Sequence, residues 1–252
     1  MRAAVRGADE RSTVRSVQKA VALLDELTRS RRARSVSDLA AAVGQDRTVV
    51  HRLLRTLKGD GLVREESGRY RLGSRLHFYG TAYVDQLALS RVALPYIVDL
   101  KATVFRDHPW LVTLSVPIGD VASLIERIWA PGLPLAALGD MGMRLPIAGS
   151  AQGRAMLAYY GWEELEEVVG AVRAESLRER LEEVRASGGV ELASNEITPG
   201  ISAVAAVILS PERRPVGAVA VSGSDLEPYL DRTAWVAARL RQTADQIAGR
   251  LP

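Results

Sequence analysis

Apolar residues recur at helical spacing through the first third of the chain. In residues 16–29, SVQKAVALLDELTR, the side chains of Val17, Ala20, Val21, Leu24 and Leu27 form one stripe behind Ser16, which stands in the N-cap place, and predict a first helix. After a loop from Ser30 to Arg34, SVSDLAAAVG sets Val36, Leu39, Ala40 and Val43 on one face of a short second helix capped by Ser35 or Ser37. Gly44 ends it, since glycine takes the positive φ of a helix terminus without a Cβ clash. Asp46 then caps a third helix in which Val50, Leu53, Leu54 and Leu57 fall at i, i+3, i+4 and i+7, and Gly59 and Gly61 stop it. Two helices joined by a glycine turn are the sequence form of a helix-turn-helix, whose second member is free to enter a major groove. Leu62 and Val63 open an extended segment. In REESGRYRLG, residues 64–73, Tyr70 and Leu72 alternate with Arg69 and Arg71 after a Ser67-Gly68 turn, which predicts a basic hairpin, the wing of a winged helix-turn-helix.

Residues 74–89, SRLHFYGTAYVDQLAL, put Leu76, Tyr79, Gly80, Tyr83, Val84 and Leu87 on one side of a connecting helix. That face is expected to be shared between burial in the chain and contact with a second copy. Another helix is expected from after Arg91 to about Arg106, then a hairpin of LVTLSVP and VASLIERIW around Gly119-Asp120. A helix over 150–160, acidic helices over 162–170 and 176–187, apolar strands ISAVAAVIL and VGAVAVSG joined by SPERRP, and a closing helix over 228–250 complete the pattern. Strands bracketed by helices, with hairpins between them, indicate an antiparallel sheet carrying helices, an α+β fold.

Composition narrows the function. At 252 residues the chain is long enough for one large or two small domains, and 47% hydrophobic residues suffice for a real core. No run of about 18 apolar residues predicts a membrane span, and no apolar signal-peptide region follows the charged N-terminus, so a cytoplasmic protein is expected. The absence of cysteine excludes disulfides, thiolate metal sites and cysteine nucleophiles. His51, His77 and His108 are scattered, and no metal or cofactor is expected. Residues 1–75 hold 17 Lys and Arg against 9 Asp and Glu, the rest 16 against 21, so the first third is at +8 and the remainder at −5. A basic leader, residues 1–13, supplies part of the excess, but a basic module remains without it. One module is thus suited to a polyanion and the other is not.

On the third helix Thr48, Arg52 and Arg55 point away from the apolar stripe, with Arg47 and His51 on its flank and Gln45 just before it. Arginine can fork to guanine or hold phosphate, and either role fits Arg52 and Arg55, while Arg69 and Arg71 suit phosphate or minor groove. Downstream, GSAQG is not a G-x-S-x-G nucleophile elbow, and neither a dinucleotide-binding glycine motif nor a P-loop is present, so no enzyme is expected. Ser150 to Gly153 at a helix start suit either a carboxylate or ordinary capping. Trp129, Leu133, Leu135, Met141 and Met143 are candidates for a pocket wall or for core.

RSVQKAVALLDEL, SVSDLAAAVG, TVVHRLLRTLKGDGLV and GRYRLGSRL, with LPIAGSAQGRAMLA and AVSG further on, resemble the IclR family of bacterial transcriptional regulators over nearly the whole chain. The resemblance implies a winged helix-turn-helix over 14–75, a linker helix over 76–89 and a GAF-like effector domain over 90–252. It also implies a homo-oligomer, dimer or tetramer, on a palindromic double-stranded DNA operator that responds to a small-molecule effector. The family's approach to its recognition helix resembles Pro-Lys-Ser-Thr, where this chain has Asp46-Arg47-Thr48-Val49, so a different operator is expected. Carried over residue by residue, its small-acid site falls on Ala151, Gln152, Ala193, Ala203, Ala220 and Ser222. Sensors of glyoxylate and pyruvate are expected to have Asp, Cys and Ser at the positions of Ala193, Ala203 and Ala220, so a larger, more apolar effector, an aromatic acid for instance, or none is expected here. The alternatives are a GAF-type enzyme and an effector-blind constitutive regulator.

Overall fold

The computed structural model describes residues 13–30, 32–129, 144–232 and 234–252. Residues 1–12 of the expected leader and the wall candidates Leu133, Leu135, Met141 and Met143 lie outside the described residues. The chain forms two compact units that divide between Gln86 and Leu87.

The first unit opens with α1 (Arg15–Arg29), preceded by extended Val14, whose carbonyl accepts from Val17 and Gln18. Ser16 is therefore inside the first turn and is not the cap. The buried stripe centres on Leu23 and Leu27, while Val17 and Val21 are 58% and 46% exposed, because α2 and α3 pack on the adjacent side of the helix. The expected loop before α2 holds a two-residue strand, β1 (Arg34–Ser35). Ser35 then closes a capping box with Asp38 on α2 (Val36–Val43), and the backbone N–H of Ser35 holds the Asp38 carboxyl below its usual range. Gly44 ends α2 in the left-handed conformation. Helix α3 (Arg47–Gly59) follows, with Asp46 accepting from the N–H of Thr48. Strands β2 (Val63–Glu66) and β3 (Arg69–Leu72) form the hairpin, and both Ser67 and Gly68 have positive φ, the signature of a tight type I′ turn. The sheet order is β1-β3-β2.

Helix α4 (Arg75–Gln86) buries none of its residues, and Phe78, Tyr79 and Tyr83 are 70%, 54% and 43% exposed, which removes the buried-connector reading. It is shorter than expected: Leu87 is extended, and α5 (Ala88–Asp99) begins before Arg91.

The second unit is built on a six-stranded antiparallel sheet, β4 (Leu111–Ile118), β5 (Val121–Ile128), β6 (Arg144–Pro146), β7 (Val190–Ser194), β8 (Ser202–Leu209) and β9 (Pro215–Gly223), in the order β6-β5-β4-β9-β8-β7. One face carries α5 and α9 (Trp235–Ala248) on apolar side chains such as Val204, Ala206 and Ile208 of β8 and Val219 and Val221 of β9. The opposite face presents Ala205, Ala218 and Ala220 to α6 (Ala151–Leu157). Covered on both faces, β8 and β9 read as continuous apolar runs. Small side chains admit α6 close to the sheet, and Gly153 is part of that fit, since a Cβ there would sit 1.9 Å from the carbonyl oxygen of Ile147. Outside α6 pack α7 (Trp162–Val169) and α8 (Ala171–Ala186). Helices α6 and α9 are shorter than the apolar pattern suggests, and α8 begins earlier, at Ala171 directly after left-handed Gly170.

Candidate nucleic-acid interface and ligand cavity

The orientation of α3 follows from three buried side chains, Val50, Leu54 and Leu57, which seat it on α1, α2 and β2. The opposite face is thereby fixed outward, and Arg47, Thr48, His51, Arg52 and Arg55 are all exposed, with Gln45 half-buried in the preceding turn. Asp46 caps the helix at the end nearest these groups, and the Thr48 N–H holds its carboxyl below the usual carboxylate range. At the other end Lys58 bridges to Glu65 at 2.8 Å, and Glu65 also bonds Tyr70. That set holds strand β2 against the helix and lowers the Glu65 carboxyl while raising the Lys58 ammonium.

Strand register sorts the wing into two faces. Val63, Tyr70 and Leu72 turn toward the core, whereas Arg69 and Arg71 are exposed. Arg64 was not among the expected contacts, yet the pairing places it directly opposite Arg71 on the exposed face. Like charges at opposed positions repel, a strain that a bound anion relieves. Glu66 offsets it in part, 3.0 Å from Arg64. What could have revealed Arg64 is the pairing that a two-residue Ser67-Gly68 turn imposes, which sets 66 opposite 69, 65 opposite 70 and 64 opposite 71.

In the second unit the cross-strand rung Leu111–Ser222–Ala203–Ala193, contributed by β4, β9, β8 and β7, floors a cavity of about 50 Å³. Ser150, Ala151 and Gln152 at the start of α6 form one wall, Leu124 of β5 and Leu145 of β6 a second, and Glu196, Ile197, Thr198 and Ile201 the remaining side. Five of the six expected effector residues therefore meet around one space. Ala220 does not: it belongs to the next rung, Thr113–Ala220–Ala205–Glu191, and lies fully buried beneath α6. Thr113, which no sequence signal marked, reaches the cavity and accepts from the Gln152 amide at 3.4 Å. Ser150 is spent on capping, accepting from the Gly153 N–H at 3.2 Å. Trp129 is 40% exposed and does not line the space.

Beside the cavity lies a buried charge cluster. Glu191, wholly buried, accepts from Arg154 at 2.5 Å, Arg180 at 2.7 Å and Arg232 at 3.2 Å. Arg154 also donates to Glu196 at 2.6 Å and to the carbonyl of Leu192. Among the described residues no group of three or more His, Asp or Glu is placed to hold a metal ion, and no helix is long and apolar enough to cross a membrane.

The family model described as the bacterial transcriptional regulator IclR C-terminal domain matches residues 81–249, and that of the IclR helix-turn-helix domain matches residues 16–67. The chain is 28% identical to the glycerol operon regulatory protein of Streptomyces coelicolor over 221 residues, 84% of this chain and 85% of the relative. The crystal structure of an IclR family transcriptional regulator from Brucella abortus superposes with a TM-score of 0.78 at 21% identity, covering 97% of this chain and 95% of that one. An IclR homologue from Microbacterium hydrocarbonoxydans, solved with 4-hydroxybenzoate, gives a TM-score of 0.69 at 24% identity over 94% of this chain and 98% of its own.

Proposed function

The chain belongs to the IclR family of bacterial transcriptional regulators, and from that premise we propose that it binds a palindromic operator as a homo-oligomer and alters that binding when a small effector fills its cavity. Its relatives regulate transcription, and the chain is a regulator and not an enzyme. The observation that carries the DNA half is the split of α3 into a buried face and an outward face of Arg47, Thr48, His51, Arg52 and Arg55. In this reading α3 enters the major groove, with Gln45 and Thr48 nearest base edges, while Arg64, Arg69 and Arg71 of the wing hold backbone or minor groove. A two-fold operator calls for a two-fold protein, which supports a dimer or a pair of dimers. A mobility-shift assay with the DNA upstream of the chain's own gene tests it. A shift at low salt that weakens about tenfold with Arg52→Ala is expected, and no shift, or no loss on that substitution, overturns it.

The effector half rests on the cavity floor. Ala193 and Ala203 place bare methyl groups where the family resemblance expects polar ones, which favours a largely apolar ligand such as an aromatic acid, oriented by Gln152, Thr113 and Ser222. A thermal-shift screen of small carboxylates and aromatics, with 4-hydroxybenzoate among them, is the test; a flat response throughout supports a constitutive regulator instead.

A further inference from the structure

One side of the cavity is a single short connection, residues 195–201 between β7 and β8, which contributes Glu196, Ile197, Thr198 and Ile201. The connection is shaped by bonds to itself. Asn195, left-handed at φ 57°, accepts from the Gly200 N–H at 2.6 Å, its own N–H reaches the Ile201 carbonyl, and the Ile201 N–H reaches that of Thr198. It can therefore move as a unit. The side chain that ties it across to the opposite wall is Glu196, bonded to Arg154 at 2.6 Å and 3.6 Å from Arg180. Arg154 is on α6, the helix whose first residues form that wall.

The two partners differ in what separation would cost them. Breaking a buried ion pair is expensive when it strands a charge away from water. Arg154 is 5% exposed but keeps Glu191 and the Leu192 carbonyl if Glu196 leaves. Glu196 is 30% exposed already, and water can take up its carboxylate. Neither charge is stranded, so the pair is closed at rest and openable. Room on the inside is limited: about 50 Å³ suits a few waters, whereas a cavity of roughly 150 Å³ is known to accept a benzene ring.

We propose that residues 195–201 are the door of the cavity and that the Glu196–Arg154 ion pair is its latch, with Arg154 a positioning residue held in readiness by Glu191. Ligand entry requires the latch to part. The inference rests on the effector reading only for what passes through the door, so its test uses no ligand. Amide hydrogen exchange of the full chain is compared for the native protein, Glu196→Gln, Glu196→Ala and Glu183→Gln; the last removes the Arg232 partner Glu183, 3.2 Å away in the same cluster, without touching the door. Exchange in a peptide covering 195–201 is expected to rise about tenfold in both Glu196 variants, the scale of one charge-assisted hydrogen bond, and to stay unchanged in Glu183→Gln, with α6 and β7 unaffected throughout. Equal exchange in all four proteins, or acceleration spread over α6 and β7, overturns the latch. Localised acceleration combined with a flat ligand screen retains the latch and removes the effector reading.

Discussion

Arg64 and Arg71 face each other across the wing, and their side chains point to solvent from the exposed side of the hairpin. Such a pair gains most when an anion lies between the two charges, so Arg64→Ala is expected to weaken operator and non-operator DNA alike by about threefold to tenfold and to reduce the salt dependence of binding by about one charge. A titration by fluorescence anisotropy at several salt concentrations checks this, and a loss confined to one DNA sequence would instead give Arg64 a base-reading role. The outward residues of α3 were legible because amphipathic spacing fixes both faces of a helix at once. Arg64 was not, because its face depends on the register across the Ser67-Gly68 turn, and Glu65 and Glu66 beside it mask its charge. Ala220 stands apart from the cavity for a related reason, since one rung of the sheet separates it from Ser222 and α6 lies over it.

Helices α2 and α3 both start on a carboxylate that their own backbone N–H groups or cap residue hold below its ordinary value of 3.8, Asp38 through Ser35 and Asp46 through Thr48. A depressed folded-state pKa contributes stability that is present above the unfolded value and disappears as pH falls through the folded one. The first unit is therefore expected to hold its melting temperature above about pH 5 and to lose it progressively as pH falls below about 4, with a shallower loss in the Asp38→Asn/Asp46→Asn double variant, whose caps do not titrate. Circular dichroism melts from pH 6 to pH 2.5 measure it. The Asp46 cap could be read from sequence and the α2 cap narrowed to Ser35 or Ser37, while β4, β5, β8 and β9 were legible too, since capping and hairpin chemistry are local. Strand β7 could not. Its second residue, Glu191, is buried only because Arg154, Arg180 and Arg232 converge on it from 37, 11 and 41 residues away along the chain. The break at Leu87 was equally hidden, for the apolar pattern runs through it from α4 into α5.

Across the whole molecule charge and chemistry divide the work. The first 75 residues carry +8 and the rest −5, so attraction to DNA is concentrated in the unit that holds α3 and the wing, while the acidic remainder holds the apolar cavity. Filling the cavity should then silence the effector without touching the DNA-reading face. Ala203→Phe, at the centre of the floor, is expected to abolish any thermal shift given by a ligand that stabilises the native chain, and to leave operator affinity in the absence of ligand within about twofold, as for distant independent sites. A variant that loses both would show that the floor serves folding and not ligand binding.

The central claim is that the outward face of α3 reads DNA. It is tested most directly by titrating the full chain against labelled duplex from upstream of its own gene, and against a scrambled duplex of the same composition, across a range of salt. The account predicts binding to both that weakens steeply as salt rises, with the upstream duplex held at least about a thousandfold more tightly where both can be measured and with Arg52→Ala narrowing that ratio. Equal affinity for the two duplexes, or no binding at low salt, would contradict it.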